Sequence, residues 1–248
     1  MRIPAIRGII DRRVLVNFRV DARVLARICP PPFRPQTVDG FGVAGICLIR
    51  LKSIRPKRLP AWVGIASENA AHRIAVEWDV EGVTRSGVYI PRRDTSSLLN
   101  VFAGGRVFPG VHHHARFDVH ETKNDLRIAM VGVDGSASVH VEGRIAEQLP
   151  GDSVFQTLEQ CSQFFEAGSL GYSPASSGGN FDGLRLRTSD WQVQPLAVTR
   201  VQSSFFDDVD VFPRGSVVFD NALVMRGICH EWHSREPICC AGDSLPCA

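Results

Sequence analysis

The sequence predicts an α+β fold that is mainly β, with a large antiparallel sheet or barrel and few helices. Candidate strands recur along most of the 248 residues, only two stretches keep the apolar spacing of a helix, and no linker separates two cores. We therefore expect one domain over residues 1–235. A disordered tail that contains cysteines and lacks periodicity is expected over residues 236–248.

The N-terminal third begins with a predicted strand at residues 14–20 and a short helix at residues 22–28. Asp21 is placed to cap that helix, and the prolines at 30–32 end it because proline cannot continue a helix. The almost continuously apolar run at residues 42–51 predicts a buried strand. We expect a loop at residues 53–60 and further strands at residues 72–78 and 87–91.

The middle of the chain alternates apolar and polar side chains over residues 110–119, which is the period of a half-buried strand. The Asp134-Gly135 pair is a turn signal. It predicts a hairpin between strands at residues 126–131 and 137–141.

One longer helix is predicted after this hairpin. Apolar residues from Phe155 to Phe165 keep helical spacing, Ser153 and Gln156 can form a capping box, and Gly168 fits the end of the helix. Beyond it we expect a flexible loop at residues 173–180 and strands at residues 184–187, 192–203 and 217–226.

Charge and composition argue against several classes of protein. The 28 Lys and Arg residues nearly balance the 26 Asp and Glu residues, so nothing favours nucleic acid or an anionic membrane as a partner. No apolar run approaches the ~18 residues that span a bilayer. The N-terminal segment lacks a signal-peptide pattern and the cysteines form no CxxC pair, so we expect a reducing, cytoplasmic setting.

The segment at residues 103–117, AGGRVFPGVHHHARF, gathers a compact set of chemical groups. Gly105 and Gly110 let the backbone turn or approach a ligand closely. Arg106 carries a fork suited to carboxylates, and three consecutive histidines follow whose unperturbed pKa lies near neutrality. This segment therefore predicts a ligand site.

Two interpretations of the histidines remain open. On a strand His112 and His114 share one face, and His113 lies on the other face with Val111, towards the interior. The histidines are either hydrogen-bonded strand residues, or His112 and His114 bind a metal with His230 as the third ligand.

Charged residues elsewhere offer further candidates. Arg92 and Arg93, followed by an acid and three hydroxyls, suit either an anionic ligand or a solvated turn. Glu68 can act in general acid–base chemistry if it is buried, although glutamate more often faces water. The nucleophile elbow and the glycine-rich nucleotide-binding motifs are absent from the sequence.

Seven segments spread over residues 12–233 carry a family resemblance: VNFRVDARVLARICPPPFRPQTVDGFGVAGICLIRLKSIRP, SENAAHRIAVEW, YIPRRDTSS, AGGRVFPGVHHHARFDV, FFEAGSLGYS, SSFF and MRGICHEWH. With them the chain resembles an uncharacterised bacterial family of the acetoacetate decarboxylase-like superfamily. The resemblance implies an antiparallel β-barrel or cone with few peripheral helices around a small-molecule cavity. Such proteins often form oligomers, which leaves a homo-oligomer open for this chain.

The resemblance also implies particular site residues. In the decarboxylases a lysine forms a Schiff base with a β-keto acid, in a segment that reads Ala-Gly-Arg, with Gly four residues after the arginine and Lys seven residues after it. Arg106 matches that arginine and Gly110 that glycine, whereas His113 and His114 stand where two lysines would be. Glu68 is the best match to a glutamate that lines the decarboxylase cavity.

The missing lysine changes the expected chemistry, because imidazole cannot form the imine. The chain has three lysines, and all of them lie away from the motif: Lys52, Lys57 and Lys123. We therefore expect no Schiff-base decarboxylation and no cofactor. The ligand expected is a small organic acid or carbonyl compound.

In this interpretation Arg106 holds the acid group, and His113 with Glu68 carries out acid–base chemistry at a carbonyl. The remaining expected ligand-binding residues are Arg92, Arg93, Gly105, Gly110 and His114. Two alternatives stay open. One is a non-catalytic binding or sensing protein with the same pocket, and the other is a metal-dependent lyase or hydrolase that uses the histidines.

Overall fold

The computed structural model describes residues 5–104, 109–176 and 178–239. The strands are β1 (Ile6–Asp21), β2 (Arg34–Pro35), β3 (Thr37–Val38), β4 (Phe41–Pro56), β5 (Ile65–Val80), β6 (Val83–Thr95), β7 (His112–Glu121), β8 (Asp125–Gly132), β9 (Ser138–Ile145), β10 (Leu170–Pro174), β11 (Asn180–Thr188), β12 (Gln194–Ser203) and β13 (Val217–Cys239). The helices are α1 (Ala22–Ile28), α2 (Leu98–Ala103) and α3 (Leu158–Ala167), with a short 3₁₀ turn at Ala61–Val63. The predicted mainly β class with few helices is confirmed.

The strands form one 13-stranded, ring-like sheet within the described residues. Its path runs β6-β7-β8-β9-β12-β13-β1-β4-β5 and closes because β5 also pairs with β6. The β10–β11 hairpin joins β6 to the far end of β13, which closes a second, smaller circuit. Two strand pairs are parallel, β6 with β7 and β6 with β10.

Two apolar clusters lie on opposite faces of β1 and β4. Val14 and Ile46 belong to the larger cluster, which fills the ring, and Leu15 and Cys47 belong to the smaller one, which packs beneath α3. Because successive side chains of a strand point to opposite faces, both faces of these strands are buried. The apolar run predicted as a buried strand is therefore the centre of β4, as expected.

The helix that follows the β8–β9 hairpin begins later than predicted. Thr157 caps α3 and accepts a hydrogen bond from the Gln160 backbone N–H at 3.1 Å. Ser153 instead donates to Asp220 at 2.7 Å, which holds the preceding loop against β13. The proposed capping box of Ser153 and Gln156 is therefore wrong, because Ser153 has a tertiary partner.

Other boundaries also differ from the prediction. Helix α2 was missed, since six residues are too few for a periodic signal. The first two residues and the last residue of the loop predicted at 173–180 belong to strands β10 and β11. β13 continues past Arg235 to Cys239, where it pairs with β11, so the first four residues of the predicted tail belong to the sheet. Residues 240–248 lie outside the described ranges.

Four free thiols, those of Cys29, Cys47, Cys161 and Cys229, are described, and Cys239 is disulfide-bonded. No helix in the described ranges is long and apolar enough to cross a membrane.

Candidate functional site

A cavity of about 160 Å³ lies in the smaller apolar cluster, between β1, β4, β5 and β6 on one side and the β10–β11 hairpin on the other. Its apolar wall includes Cys47, Ile49, Leu51, Val88, Ile90, Leu184, Leu186 and Trp232. Its polar lining consists of Arg13, Ser67, Asn69, Arg73, Arg93, Asp94, Asn100, His112 and Ser169. A small apolar cavity with a few convergent polar groups is the usual form of a small-molecule site.

Three arginines reach this cavity from three strands. Arg13 lies on β1, Arg73 on β5 and Arg93 on β6. On β5 the odd-numbered residues Ser67 and Asn69 also line the cavity, so strand alternation turns this face of β5 towards it. The cavity therefore has positive charge on several sides.

None of the three arginines makes an ion pair with a carboxylate among the described residues. Asp94 is the one acid in the described lining, and its carboxylate is held by Arg92 through hydrogen bonds of 3.0 and 2.7 Å. Arg93 donates to the neutral Ser173 hydroxyl at 3.0 Å. Within the described lining, the cavity thus carries positive charge without a matching counter-charge.

Two of these guanidinium groups have nitrogens without a hydrogen-bond partner in the described part of the chain, Nε of Arg73 and Nη1 of Arg13. Burial lowers the pKa of Arg73 to about 10, and the charge of Arg13 adds to the effect. Burial also lowers the pKa of Arg93 to about 10. Both values lie well above neutral pH, so Arg73 and Arg93 are cationic there. An anion in the cavity would satisfy their unused donors.

Packing holds the arginines in position before any ligand binds. Arg73 lies 4.8 Å from the centre of the Phe165 ring and donates to Asn17, which in turn donates to Asn221 at 2.7 Å. Arg13 lies over the Trp191 ring at 5.6 Å. Such contacts reduce the entropy that ligand binding costs.

His112 is the histidine at the cavity wall. It opens β7 and lies opposite Arg93 in the parallel β6–β7 register. Its Nδ1 donates to the Gly110 carbonyl at 3.1 Å, since a carbonyl can only accept. Burial lowers the pKa of His112 to about 4, and the charge of Arg93 lowers it further. The ring is therefore neutral at pH 7.

The structure brings His112 rather than His113 to the cavity. In the β6–β7 register His113 lies opposite Asp94, on the other face of β7 from His112. Its Nδ1 is 3.8 Å from Asp134, and its side chain is 39% exposed. The interior that His113 was expected to face is the larger cluster, and the cavity belongs to the smaller one.

Glu68 also lies away from the cavity, because it points to the opposite face of β5 from Ser67 and Asn69. Its carboxylate pairs with Arg12 and, at 2.6 Å, with Arg50. The Arg12 side chain is fully buried, with 0% exposure. Glu68 therefore neutralises a buried charge instead of facing a ligand.

The other sequence-predicted residues are divided between the two sides of the sheet. Arg93 lines the cavity, whereas Arg92 pairs with Asp94. Gly110 has φ +80°, and a Cβ there would lie 2.7 Å from Cβ of Ser173. Both the left-handed backbone conformation and the lack of room for a side chain therefore require glycine. His114 is half-buried and is not part of the cavity lining. Gly105 and Arg106 lie outside the described residues.

The metal alternative finds no support in the described ranges, which hold no group of three His, Cys, Asp or Glu side chains placed to bind a metal. His230 is buried against Trp232, with ring centroids 4.4 Å apart. Burial lowers its pKa to about 4, and the charge of Arg13 contributes.

Lysine does not line the described cavity. Lys52 and Lys57 are each 52% exposed and pair with Asp11 and Glu231. Lys123 is exposed in the turn between β7 and β8. All three lysines therefore lie outside the described lining of the cavity.

Sequence reasoning missed Arg13, Arg73, Cys47 and Asn100. Arg73 interrupts the apolar run of β5, and a charged residue in a strand that is otherwise buried is a signal for a functional interior. Cys47 is buried, as the strand predicted at residues 42–51 implies, and it also lines the cavity.

Comparison with solved structures identifies the fold. Acetoacetate decarboxylase from Legionella pneumophila superposes with a TM-score of 0.59 at 11% identity, covering 94% of this chain and 87% of that one. An acetoacetate decarboxylase-like enzyme from Sphingomonas wittichii RW1 gives 0.57 at 10% identity, covering 94% and 93%. The enduracididine biosynthesis enzyme MppR in complex with pyruvate gives 0.58 at 12% identity, covering 96% and 90%. At these identities the likeness confirms the acetoacetate decarboxylase-like fold alone.

No curated protein sequence matches this chain significantly. One family model does match, over residues 10–219, and its family is described as an uncharacterized conserved protein. Because the match covers most of the 248 residues, the chain belongs to the DUF2071 family.

Proposed function

We propose that this protein binds a small organic acid in the cavity lined by Arg13, Arg73 and Arg93. The observation that carries the proposal is the set of three guanidinium groups around an apolar space, none paired with a carboxylate in the described residues. A carboxylate is the planar, bidentate partner that such groups recognise best. The volume of about 160 Å³ limits the ligand to a small molecule.

The chemistry proposed for the cavity is not imine chemistry, because no lysine lines it among the described residues. His112 is neutral at pH 7 and lies beside Arg93. This pair suits a ligand with a carbonyl group: the imidazole can take up a proton, and the guanidinium can stabilise negative charge on oxygen. His112 thus replaces His113 and Glu68 in the acid–base role.

Non-catalytic binding is the second candidate. It is favoured by Asp94, whose carboxylate is fully engaged with Arg92 and leaves the described lining without an acid to act as a proton donor or acceptor. Turnover assays on any acid that binds would distinguish the two candidates.

Thermal unfolding in the presence of small 2-oxo acids and, in parallel, their uncharged amides tests the proposal. A ligand that binds the folded state raises the melting temperature by mass action, and we expect this from the acids alone. The shift should be lost in Arg93→Gln and kept in Arg116→Gln, a matched change of an exposed arginine on β7. Equal shifts from acid and amide, or an unaltered response of Arg93→Gln, would refute the proposal.

A further inference from the structure

Cys47 is a thiol in the wall of the cavity. It lies on β4 and lines the cavity together with the three arginines. The other buried free thiols described, Cys29 and Cys161, are absent from the lining. Burial raises the pKa of each of those two to about 12, which keeps them unreactive.

The surroundings of Cys47 are electropositive. Nε of Arg13 donates to its Sγ at 3.3 Å. Arg73 and Arg93 line the same cavity as this sulfur, so Cys47 lies among three guanidinium groups. Cysteines that react as nucleophiles occur in such positive microenvironments, because the thiolate is the attacking species.

A second, independent observation indicates that a ligand comes to this sulfur. Arg73 is 5% exposed, lines the same cavity, and has no partner for its Nε in the described chain. A carboxylate bound there would bring the rest of a small molecule into the space that Cys47 borders. The cavity therefore combines an anion receptor with a thiol.

We propose that Cys47 is the nucleophile of this cavity and adds reversibly to the carbonyl carbon of a bound 2-oxo acid. This inference rests on the anion-binding function proposed above. In the addition the sulfur forms a bond to the carbonyl carbon, the C=O π bond breaks, and the thiol proton ends on the former carbonyl oxygen. The product is a hemithioketal, and the step needs neither oxidant nor reductant.

Alkylation of the folded protein tests whether Cys47 is reactive and whether the positive charge of the cavity attracts anionic reagents to it. Iodoacetate and iodoacetamide both transfer a carbon to sulfur, with loss of iodide and of the thiol proton, but only iodoacetate is an anion. Peptide mass spectrometry gives the rate at each cysteine. At Cys47 iodoacetate should react about tenfold faster than iodoacetamide, because positive clefts concentrate anions. Exposed Cys229 serves as the internal reference, and its own ratio of the two rates sets the baseline.

Variants separate the effect of the cavity's positive charge on alkylation from the addition of Cys47 to a carbonyl. Arg93→Gln should bring the ratio at Cys47 close to that at Cys229, whereas Arg116→Gln should leave it unchanged. Addition to a carbonyl is read by NMR with pyruvate labelled with ¹³C at its keto carbon. A protein-bound tetrahedral carbon signal is expected in the wild type, and it should be absent from Cys47→Ala.

Each outcome bears on a different part of the inference. If acids still raise the melting temperature but Cys47 resists both reagents, the thiol proposal fails and the anion site stands. Alkylation without preference for iodoacetate overturns the claim that the positive cavity attracts anions to Cys47. Alkylation without a tetrahedral signal overturns the carbonyl addition. Loss of the melting shift itself refutes the proposed function, on which the inference depends.

Discussion

Arg93 and His112 lie opposite each other in the parallel β6–β7 pair, and the charge of the arginine helps to keep the imidazole neutral. Burial is the larger cause of the low pKa of His112, and the guanidinium is the next. The register of two strands thus sets both the position and the protonation state of the cavity histidine.

Replacing Arg93 with glutamine should raise the pKa of His112 above its present value of about 4, because one of the two leading causes of the shift is removed. Burial remains, so the pKa should stay below the ordinary histidine value. NMR titration of the imidazole would measure it, with Arg116→Gln as the control. A His112 pKa identical in wild type and Arg93→Gln would contradict the assigned contact.

The protein should lose stability in mild acid because of three buried histidines. The pKa is about 3 for His72 and about 4 for His112 and His230 in the folded state. These values lie below the unfolded value of about 6.5, so the unfolded chain takes up protons first. Their stabilising contribution is complete above about pH 6.5 and is lost as the pH falls towards the folded values, by roughly 1.4 kcal/mol per pKa unit for each histidine.

Urea unfolding at a series of pH values from 7 to 4.5 would measure this loss. The variant His72→Gln should show a shallower pH dependence, since one titrating group is removed. The exposed His120, changed to glutamine, is the control and should follow the wild type. A flat free energy of unfolding over this range would refute the prediction.

Replacing Arg73 with methionine should separate stability from binding. Arg73 is buried without a carboxylate partner in the described chain, so no ion pair offsets the cost of removing its charge from water. We therefore expect an unchanged or higher melting temperature without ligand, and no shift when acids are added. Strong destabilisation would show that the charge serves the fold.

Replacing Glu68 with glutamine should affect the fold and leave the cavity intact. The change removes the nearest counter-charge of fully buried Arg12, while Glu121 stays 3.7 Å away. Because Glu68 is partly exposed, we expect a loss of at most about 3 kcal/mol in the free energy of unfolding. Acid-induced melting shifts should persist. If they vanish while the variant stays folded, the original assignment of Glu68 to the site would return.

Strand periodicity predicted much of the fold, because burial on one or both faces leaves a clear pattern in segments such as β4. It could not predict which of two interiors a side chain would enter. His113 does lie on the face of β7 that turns inward, but that face belongs to the larger cluster. The position of the cavity depends on long-range pairings such as β6 with β7, and no local pattern encodes these.

For the candidate site, too, the sequence predicted some residues and missed others, because local patterns do not encode long-range packing. Arg93 and Gly110 were predicted from local chemistry, and the structure places Arg93 in the lining and Gly110 beside Ser173. Arg13 and Arg73 come from strands distant in sequence, and the role proposed for them depends on the absence of an ion-paired carboxylate in the described structure. Such an absence is a property of three-dimensional packing.

The division of β1, β4 and β5 between two interiors has an evolutionary consequence. At the centre of these strands, alternate positions face the smaller cluster that holds the cavity, and the positions between them belong to the larger core. Substitutions can therefore accumulate on the cavity side while the architecture is inherited through the other side. A lineage can exchange one reactive group for another in this way without having to invent a new scaffold.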